Sequence, residues 1–442
     1  MRDPARPLGL LSLLALGVNG TVGVGIFFAP ASVARYAPPG QAAWAFALTA
    51  LALVPTALCF AQLGRLFPQD GGPVVYARAA FGPRPGFLVG WVAYVGALFS
   101  SASIVVGLTR ALLEPLGFGT PMALRASSAL LTFALAGLAA VGLRPSARVW
   151  SALTLLKLAP LVALVAVAAA AGFVLAPVAG LPIPAPDLGG APAGENSNNI
   201  GVLNAVADVN WGRALLAAVF PLQGFEIVPV TAGRARGPRE VSAAVLLTLG
   251  VSALLYVAVQ AACDAALGAR LATSAEPVVE AAGAFGGAWL GRLVRGGVNV
   301  SALGVAFGYL VMTPRYLSAL AAGGELSAGW AEEDMRAVPR RAHWVTAALV
   351  AALVASFGTS FDDLLTMASV AVLAQYGATA LALVVIAGRG PGSAWRGGLV
   401  AVPALVLAVG LVLGASWQEW ATGALVVAAG ALLRARAVKS EP

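Results

Sequence analysis

Long apolar runs recur along this chain, and short segments with most of the polar residues separate them. A helix of about 20 apolar residues is long enough to cross the hydrocarbon core of a bilayer. The pattern therefore predicts an all-α polytopic membrane protein with about twelve transmembrane helices rather than one with a large soluble core. The predicted spans are 8–35, 40–66, 86–113, 124–142, 148–173, 209–231, 240–267, 288–320, 343–359, 363–388, 396–413 and 419–435.

The first span is interrupted at its middle by Gly20-Thr21-Val22-Gly23-Val24-Gly25. Glycine weakens a helix at a depth where lipid offers no water to the freed backbone groups. A broken helix is tolerated there within protein or beside a cavity, and it is a common way to form a substrate site. The alternative is that these glycines only let neighbouring helices pack closely.

The sixth span has its own interruption, at Phe220-Pro221-Leu222-Gln223-Gly224-Phe225-Glu226. Pro221 removes a backbone donor, Gly224 adds freedom, and Glu226 places a polar group at membrane depth. Each broken span opens a possible five-helix unit, as an inverted repeat with paired discontinuous helices predicts. Two breaks at corresponding positions favour a binding site over simple packing.

These units define the predicted organisation of the chain. The two repeats are 8–173 and 209–388, and 389–442 holds the last two helices and a cytoplasmic tail. Between the repeats, 174–208 is rich in Pro, Gly and Asn and lacks Lys and Arg, so it is predicted to be an external loop.

The basic residues predict the orientation. Of 27 Lys and Arg residues, 19 lie on the side of the two termini, 7 lie on the other side, and Lys157 lies within a span. The positive-inside rule then places both termini in the cytoplasm. We expect the chain to lie in the lipid bilayer of the cytoplasmic (inner) membrane. Because the Arg residues are spread over many short loops, the net charge of +8 does not indicate nucleic-acid binding.

Lys157 is placed where a charge is most costly, in a chain that otherwise uses Arg and has one other lysine, Lys439. Arginine stays protonated, whereas a desolvated lysine can lose its proton near neutral pH. Such a group can couple proton movement to a conformational change. The alternative is a lysine that snorkels to the cytoplasmic boundary of the membrane. Lys157 lies roughly 13 Å into its span, and this depth disfavours snorkelling.

Other residues leave more alternatives open. Glu226 can bind an amine, titrate, or cap freed backbone donors, and Phe220 can cover a site or pack in the core. We find no metal-ligand cluster, no cofactor motif and no nucleophile–His–acid set, so no catalytic residues are predicted and an enzyme is not expected. The glycine-rich segment lacks the preceding strand and the Lys-Ser/Thr pair of a phosphate-binding loop.

The two breaks together suit a zwitterion. The half-helix after the first break presents free N–H groups and a positive dipole end, which suit a carboxylate. The half-helix before the second break presents free carbonyls, which suit an ammonium group.

With these features, the chain resembles the amino acid–polyamine–organocation (APC) superfamily over nearly its whole length. Gly23-Val24-Gly25-Ile26-Phe27 is similar to the family's Gly-Ser-Gly-(Ile/Val)-Phe substrate motif. The loop 71–83, Gly-Gly-Pro-Val-Val-Tyr-Ala-Arg-Ala-Ala-Phe-Gly-Pro, resembles the family's first cytoplasmic loop, and 220–226 resembles its aromatic sixth-span motif.

The resemblance implies a LeuT-type fold of ten core helices in two inverted repeats plus two more, working by alternating access. It also implies a carboxylate site at Val22, Gly23, Val24 and Gly25, with a gate at Phe220. Gln223, Gly224 and Glu226 complete the implied substrate site, and Lys157 takes the proton-coupling place that a sodium ion fills in relatives.

Four departures separate this chain from the family pattern. Val24 replaces the usual Ser, Gln223 is larger than the usual residue, Gly233-Arg234 stands where many members have Glu-Glu, and Gly237 replaces Asn. The predicted function is secondary active transport of amino acids, with protons as the coupling ion. The alternatives are an amino acid/amine exchanger and a non-transporting membrane receptor or partner subunit.

Overall fold

The computed structural model describes residues 8–113, 116–172, 209–357, 361–389, 394–413 and 417–439. These ranges contain helices, turns and one isolated bridge between Leu8 and Ala235. The first half contains α1 (Leu10–Thr21), α2 (Gly25–Ala34), α3 (Ala42–Leu66), α4 (Pro73–Phe81), α5 (Pro83–Leu113), α6 (Pro121–Ala139) and α7 (Leu143–Ala170). The second half contains α8 (Trp211–Val219), α9 (Pro238–Leu267), α10 (Pro277–Ala322), α11 (Arg340–Phe357), α12 (Phe361–Gly388), α13 (Ala394–Leu413) and α14 (Trp417–Lys439).

The apolar helices confirm a multi-pass membrane protein. Within the described ranges, eight helices are long and apolar enough to cross a bilayer, and the bent pair α1–α2 would make a ninth. The remaining predicted spans coincide with α11, α13 and α14; apolar stretches of α13 and α14 cover 397–410 and 420–434. Twelve spans therefore remain a prediction, and the predicted external loop 174–208 lies outside the described residues.

Helix starts follow local rules. Proline stands in the first turn of α9 and α10, where its missing N–H has no intrahelical partner to lose. α8 begins after Asn210, whose Oδ1 accepts a hydrogen bond from Arg213 N at 3.0 Å. α10 begins at Pro277, before the predicted start at 288, because the helical segment continues across a kink at Gly287 with φ +68°.

Both predicted breaks are present. α1 and α2 are bent by 48° across residues 22–24. α8 ends at Val219, a single 3-10 turn covers Phe220–Leu222, and Gln223 is extended before a second 3-10 segment, Phe225–Arg234.

The two breaks touch each other at Gly224, which has φ +126°. A Cβ atom at this position would lie 2.5 Å from Thr21 N and 2.6 Å from Gly20 C. Gly224 is therefore required both by the left-handed backbone conformation and by the close approach of the first span.

Hydrogen bonds define two ends of the bundle. The end that holds Leu8, the first described residue, is called the terminal end. There, Leu8 N donates to Arg234 O at 2.6 Å and Gly71 N donates to Val230 O at 2.9 Å. At the opposite end, Asn210 N donates to Tyr36 O at 2.9 Å. The breaks lie between these ends, within a core that α1 and α2 share with α3, α7, α9 and α10.

Candidate functional site

A cavity of about 640 Å³ lies at the two breaks, and α5, α8, α10 and α12 complete its walls. This main cavity falls within the range of roughly 300–1,000 Å³ that is usual for small-molecule sites. Five of the residues predicted from sequence line it, namely Gly23, Val24, Gly25, Phe220 and Gln223. The other predicted residues, Val22, Gly224, Glu226 and Lys157, are absent from the described lining.

The start of α2 supplies the N–H groups of the site. α2 begins at Gly25, and no side chain caps it. The first N–H groups of a helix have no intrahelical partner and carry its positive dipole end, so they suit an anion. A Cβ atom at Gly25 would lie 3.3 Å from Pro221 Cβ and 3.4 Å from Phe220 Cε1, so glycine lets the second break approach this helix start.

The carbonyls that the first break frees are held by side chains from three other helices. Thr21 O accepts from the Tyr256 hydroxyl at 2.7 Å, and Val22 O accepts from Ser301 Oγ at 3.2 Å. Asn19 O accepts from Lys157 Nζ at 2.7 Å. Because α9, α10 and α7 each contribute one of these donors, the broken end of α1 is fixed against all three helices.

Lys157 is fully buried and does not snorkel to a surface. Its ammonium group lies at the carbonyl end of α1, where the helix dipole favours a cation. Asn19, which accepts from it, donates through Nδ2 to Gly304 O of α10 at 2.6 Å. Among the described residues, no carboxylate forms an ion pair with Lys157.

Glu226 lies behind the lining of the main cavity. Its Oε2 accepts from Gly224 N at 2.8 Å and from the Tyr376 hydroxyl at 2.8 Å. It borders a separate small cavity of about 20 Å³ together with Thr313 and Gln375. In this structure the carboxylate therefore caps the second break.

The sequence analysis missed several polar residues of the site. Ser100 and Tyr309 line both cavities, and Tyr256 and Ser301 hold the carbonyls of the first break. Single Ser and Tyr residues in apolar helices are common, and no motif in this sequence marked these four. Only the packing of α5, α9 and α10 around the breaks brings them to the site.

An ion-pair network lies at the terminal end of the bundle. Asp70 Oδ2 lies 3.1 Å from Arg234 Nε and 3.3 Å from Arg315 Nη1. Glu333 pairs with both arginines, and Arg315 also donates to Ala337 O at 2.9 Å. These contacts join the loop after α3, the end of the broken sixth span, α10 and the loop after α10.

The described residues show no group of three or more His, Cys, Asp and Glu side chains placed to hold a metal ion. Cys59 and Cys263 are buried free thiols. The functional chemistry of the main cavity therefore comes from backbone groups, hydroxyls and one amide.

A helical membrane bundle with two broken helices beside a mid-depth cavity is typical of secondary transporters. The family model for amino acid permeases matches residues 8–430. The chain belongs to this family, and the resemblance found in the sequence is confirmed.

Three relatives show the range of proteins to which this chain is similar, and the names of two of them give different substrates. The chain is 30% identical to an uncharacterised transporter of Mycobacterium tuberculosis, over 79% of this chain and 74% of the relative. It is 27% identical to the arginine/ornithine antiporter of Pseudomonas aeruginosa, over 82% and 73% of the two chains. It is 24% identical to the serine/threonine exchanger of Bacillus subtilis, over 72% and 68%.

Proposed function

We propose that this protein is a secondary active transporter that carries amino acids across the cytoplasmic membrane by alternating access, in symport with protons. The observation that carries the proposal is the meeting of the two breaks, through Gly224 and Gly20, beside a cavity of about 640 Å³. The fold that suits this function has twelve spans. The repeats 8–173 and 209–388 are inverted copies, and 389–442 adds two helices.

The substrate's two charged groups have separate partners in this proposal. The carboxylate binds the N–H groups at Val24 and Gly25, where α2 begins without a side-chain cap. Val22, Gly23 and Gly224 shape this backbone, and the ammonium group binds carbonyls freed at the second break. Phe220 and Gln223 line the cavity beside it, with Phe220 acting as the gate.

The described conformation faces outward if both termini are cytoplasmic, as the charge distribution predicts. The cavity continues from the breaks toward the opposite end of the bundle, where Phe28, Ser32 and Leu216 line it. Toward the terminal end, every residue of 225–232 is buried, and the Asp70–Arg234–Arg315–Glu333 network lies beyond. Access from the cytoplasm requires this half to open.

Protons act through Lys157 in this proposal. A protonated lysine holds the carbonyl end of α1 against α7 by a charge-assisted hydrogen bond. Loss of the proton removes the attraction between the ammonium and the helix dipole, so α1 is released. Protonation is thereby coupled to the position of a half-helix that borders the substrate site.

Uptake into proteoliposomes tests the proposal. Purified protein is reconstituted and given labelled amino acids with and without an inward proton gradient. Lys157→Ala is compared with Lys439→Ala, which removes the chain's other lysine. We expect gradient-dependent accumulation in the wild type and in K439A, and none in K157A. Gradient-dependent accumulation in K157A would rule out coupling through Lys157.

Exchange is the second candidate, because the named relatives include an exchanger and an antiporter. A symporter accumulates substrate in vesicles that contain no amino acid, whereas an exchanger requires internal substrate. The same vesicles, loaded or empty, distinguish the two mechanisms.

A further inference from the structure

The main cavity has no charged side chain among the described residues that line it. Its polar side chains are Thr21, Ser32, Ser100, Gln223 and Tyr309. Every other lining residue is glycine, alanine, proline, valine, leucine, isoleucine or phenylalanine. The cavity therefore offers hydrogen bonds from hydroxyls and one amide but no counter-charge.

Branched aliphatic side chains from three helices form part of the cavity wall. Ile104 comes from α5, Val305 from α10, and Val372 and Leu373 from α12. Burial against such a wall favours an apolar group by roughly 25 cal/mol for each Å² removed from water. A polar side chain gains nothing comparable there.

Carboxylates of the described residues lie elsewhere. Glu226 accepts hydrogen bonds from Gly224 N and the Tyr376 hydroxyl and borders the small separate cavity. Asp70 and Glu333 pair with arginines at the terminal end of the bundle. The guanidinium or ammonium group of a substrate side chain would thus meet no carboxylate among the described residues that line the main cavity, and a desolvated charge without a counter-charge is strongly unfavourable.

All amino acids share the α-carboxylate and α-ammonium groups, so the backbone at the breaks does not select among them. Selection falls to the walls of the cavity. We infer, on the basis of the proposed transport function, that the substrates are amino acids with uncharged, apolar side chains, aliphatic or aromatic. The cationic substrates named for the Pseudomonas relative do not fit the described lining.

Competition in proteoliposomes tests this inference. Uptake of labelled leucine is measured against unlabelled valine, phenylalanine, serine, arginine and ornithine. We expect valine and phenylalanine to compete well, and arginine and ornithine to compete about 100-fold less well or worse, as for an unpaired buried charge. Serine should be weaker than valine by about tenfold, because it lacks the apolar side chain.

Each outcome has a distinct meaning. Transport with arginine, ornithine or serine preferred over valine would overturn the inference and leave the transport function intact. Absence of transport for the whole panel, labelled arginine and serine included, would overturn the proposed function and the inference with it.

A matched pair of variants tests whether the lack of charge in the cavity lining excludes cationic side chains. Gln223→Glu adds a charge of similar shape to the cavity lining, and Gln41→Glu makes the same change at an exposed position outside the described lining. We expect Q223E to shift the ratio of arginine to leucine affinity at least about tenfold toward arginine, and Q41E to leave it unchanged. An unchanged ratio in folded Q223E would mean that this cavity does not select the side chain.

Discussion

Glu226 shows how one residue can suit several roles until its contacts are known. The sequence left amine binding, titration and capping open. The structure gives the carboxylate two donors, Gly224 N and the Tyr376 hydroxyl, each at 2.8 Å. Tyr376 also stacks on Phe225 beneath the break, so the acid is part of a packed unit.

Replacing Glu226 separates capping from substrate recognition. Glu226→Ala leaves a buried N–H and a hydroxyl without an acceptor, at a cost of about 1–3 kcal/mol for each group. Glu226→Gln keeps an acceptor oxygen. We therefore expect a clearly lower melting temperature for E226A in detergent and a smaller change for E226Q. Loss of substrate binding in E226Q at an unchanged melting temperature would instead support direct amine binding.

Lys157 illustrates what a sequence can and cannot predict about a residue. Its depth and its rarity in an Arg-using chain predict a special role. Its acceptor, Asn19 O, is 138 positions away along the chain, and only the packing of α7 on α1 brings the two together. The same holds for Ser100 and Tyr309, which come to the cavity from α5 and α10.

The two broken spans are the elements on which the site depends. Their positions could be predicted, because glycine and proline weaken a helix by local backbone effects. Their details could not. The 3-10 form of Phe225–Arg234, in which residues 225–232 are all buried, depends on the packing around it as well as on local sequence.

Gly224→Ala tests the contact between these elements. The added Cβ would lie 2.5 Å from Thr21 N, and φ +126° is strained for alanine. We expect a loss of stability greater than about 1 kcal/mol and loss of leucine uptake, measured by thermal unfolding and in proteoliposomes.

Gly250→Ala is the control, because a Cβ there meets no atom within 4 Å and the residue lies inside α9. This variant should keep both stability and uptake. Wild-type behaviour in G224A would show that the breaks do not need their close approach.

At the scale of the whole molecule, the described conformation is closed at its terminal end. Arg315 is 4% exposed and meets both Asp70 and Glu333 there. Because Arg315 is buried, removal of one of its partners is costly, since its charge stays desolvated. The network therefore stabilises the outward-facing state that we propose.

Asp70→Asn should shift the molecule toward the inward-facing state. The readout is Ser32→Cys, since Ser32 is partly exposed and lines the cavity toward the end opposite the terminal end, while Cys59 and Cys263 are buried. A weakening of about 1 kcal/mol would lower the ratio of outward-facing to inward-facing molecules about fivefold, so external labelling of S32C by an impermeant maleimide should slow. The control is Glu276→Gln, whose pair with Arg295 is largely exposed and contributes little. Equal labelling rates of S32C in the otherwise wild-type protein, in D70N and in E276Q would contradict a gating role for the ion-pair network.

The motifs at 23–27, 71–83 and 220–226 predicted the family, which is confirmed. Charge and hydropathy predicted the multi-pass class, which is also confirmed. They also predict twelve spans, the external loop 174–208 and cytoplasmic termini. The number of spans depends on the lipid around the helices, and the loop 174–208 lies outside the described ranges. The position of the termini depends on the side from which the chain inserts, which hydropathy alone does not determine.

The most direct test of the central claim is a cryo-electron microscopy structure of the reconstituted protein with leucine. The account predicts ligand density between the start of α2 and Phe220, with the carboxylate within hydrogen-bond distance of Val24 N or Gly25 N. Well-ordered leucine bound elsewhere, with this cavity empty of it, would contradict the claim that the two breaks form the transport site.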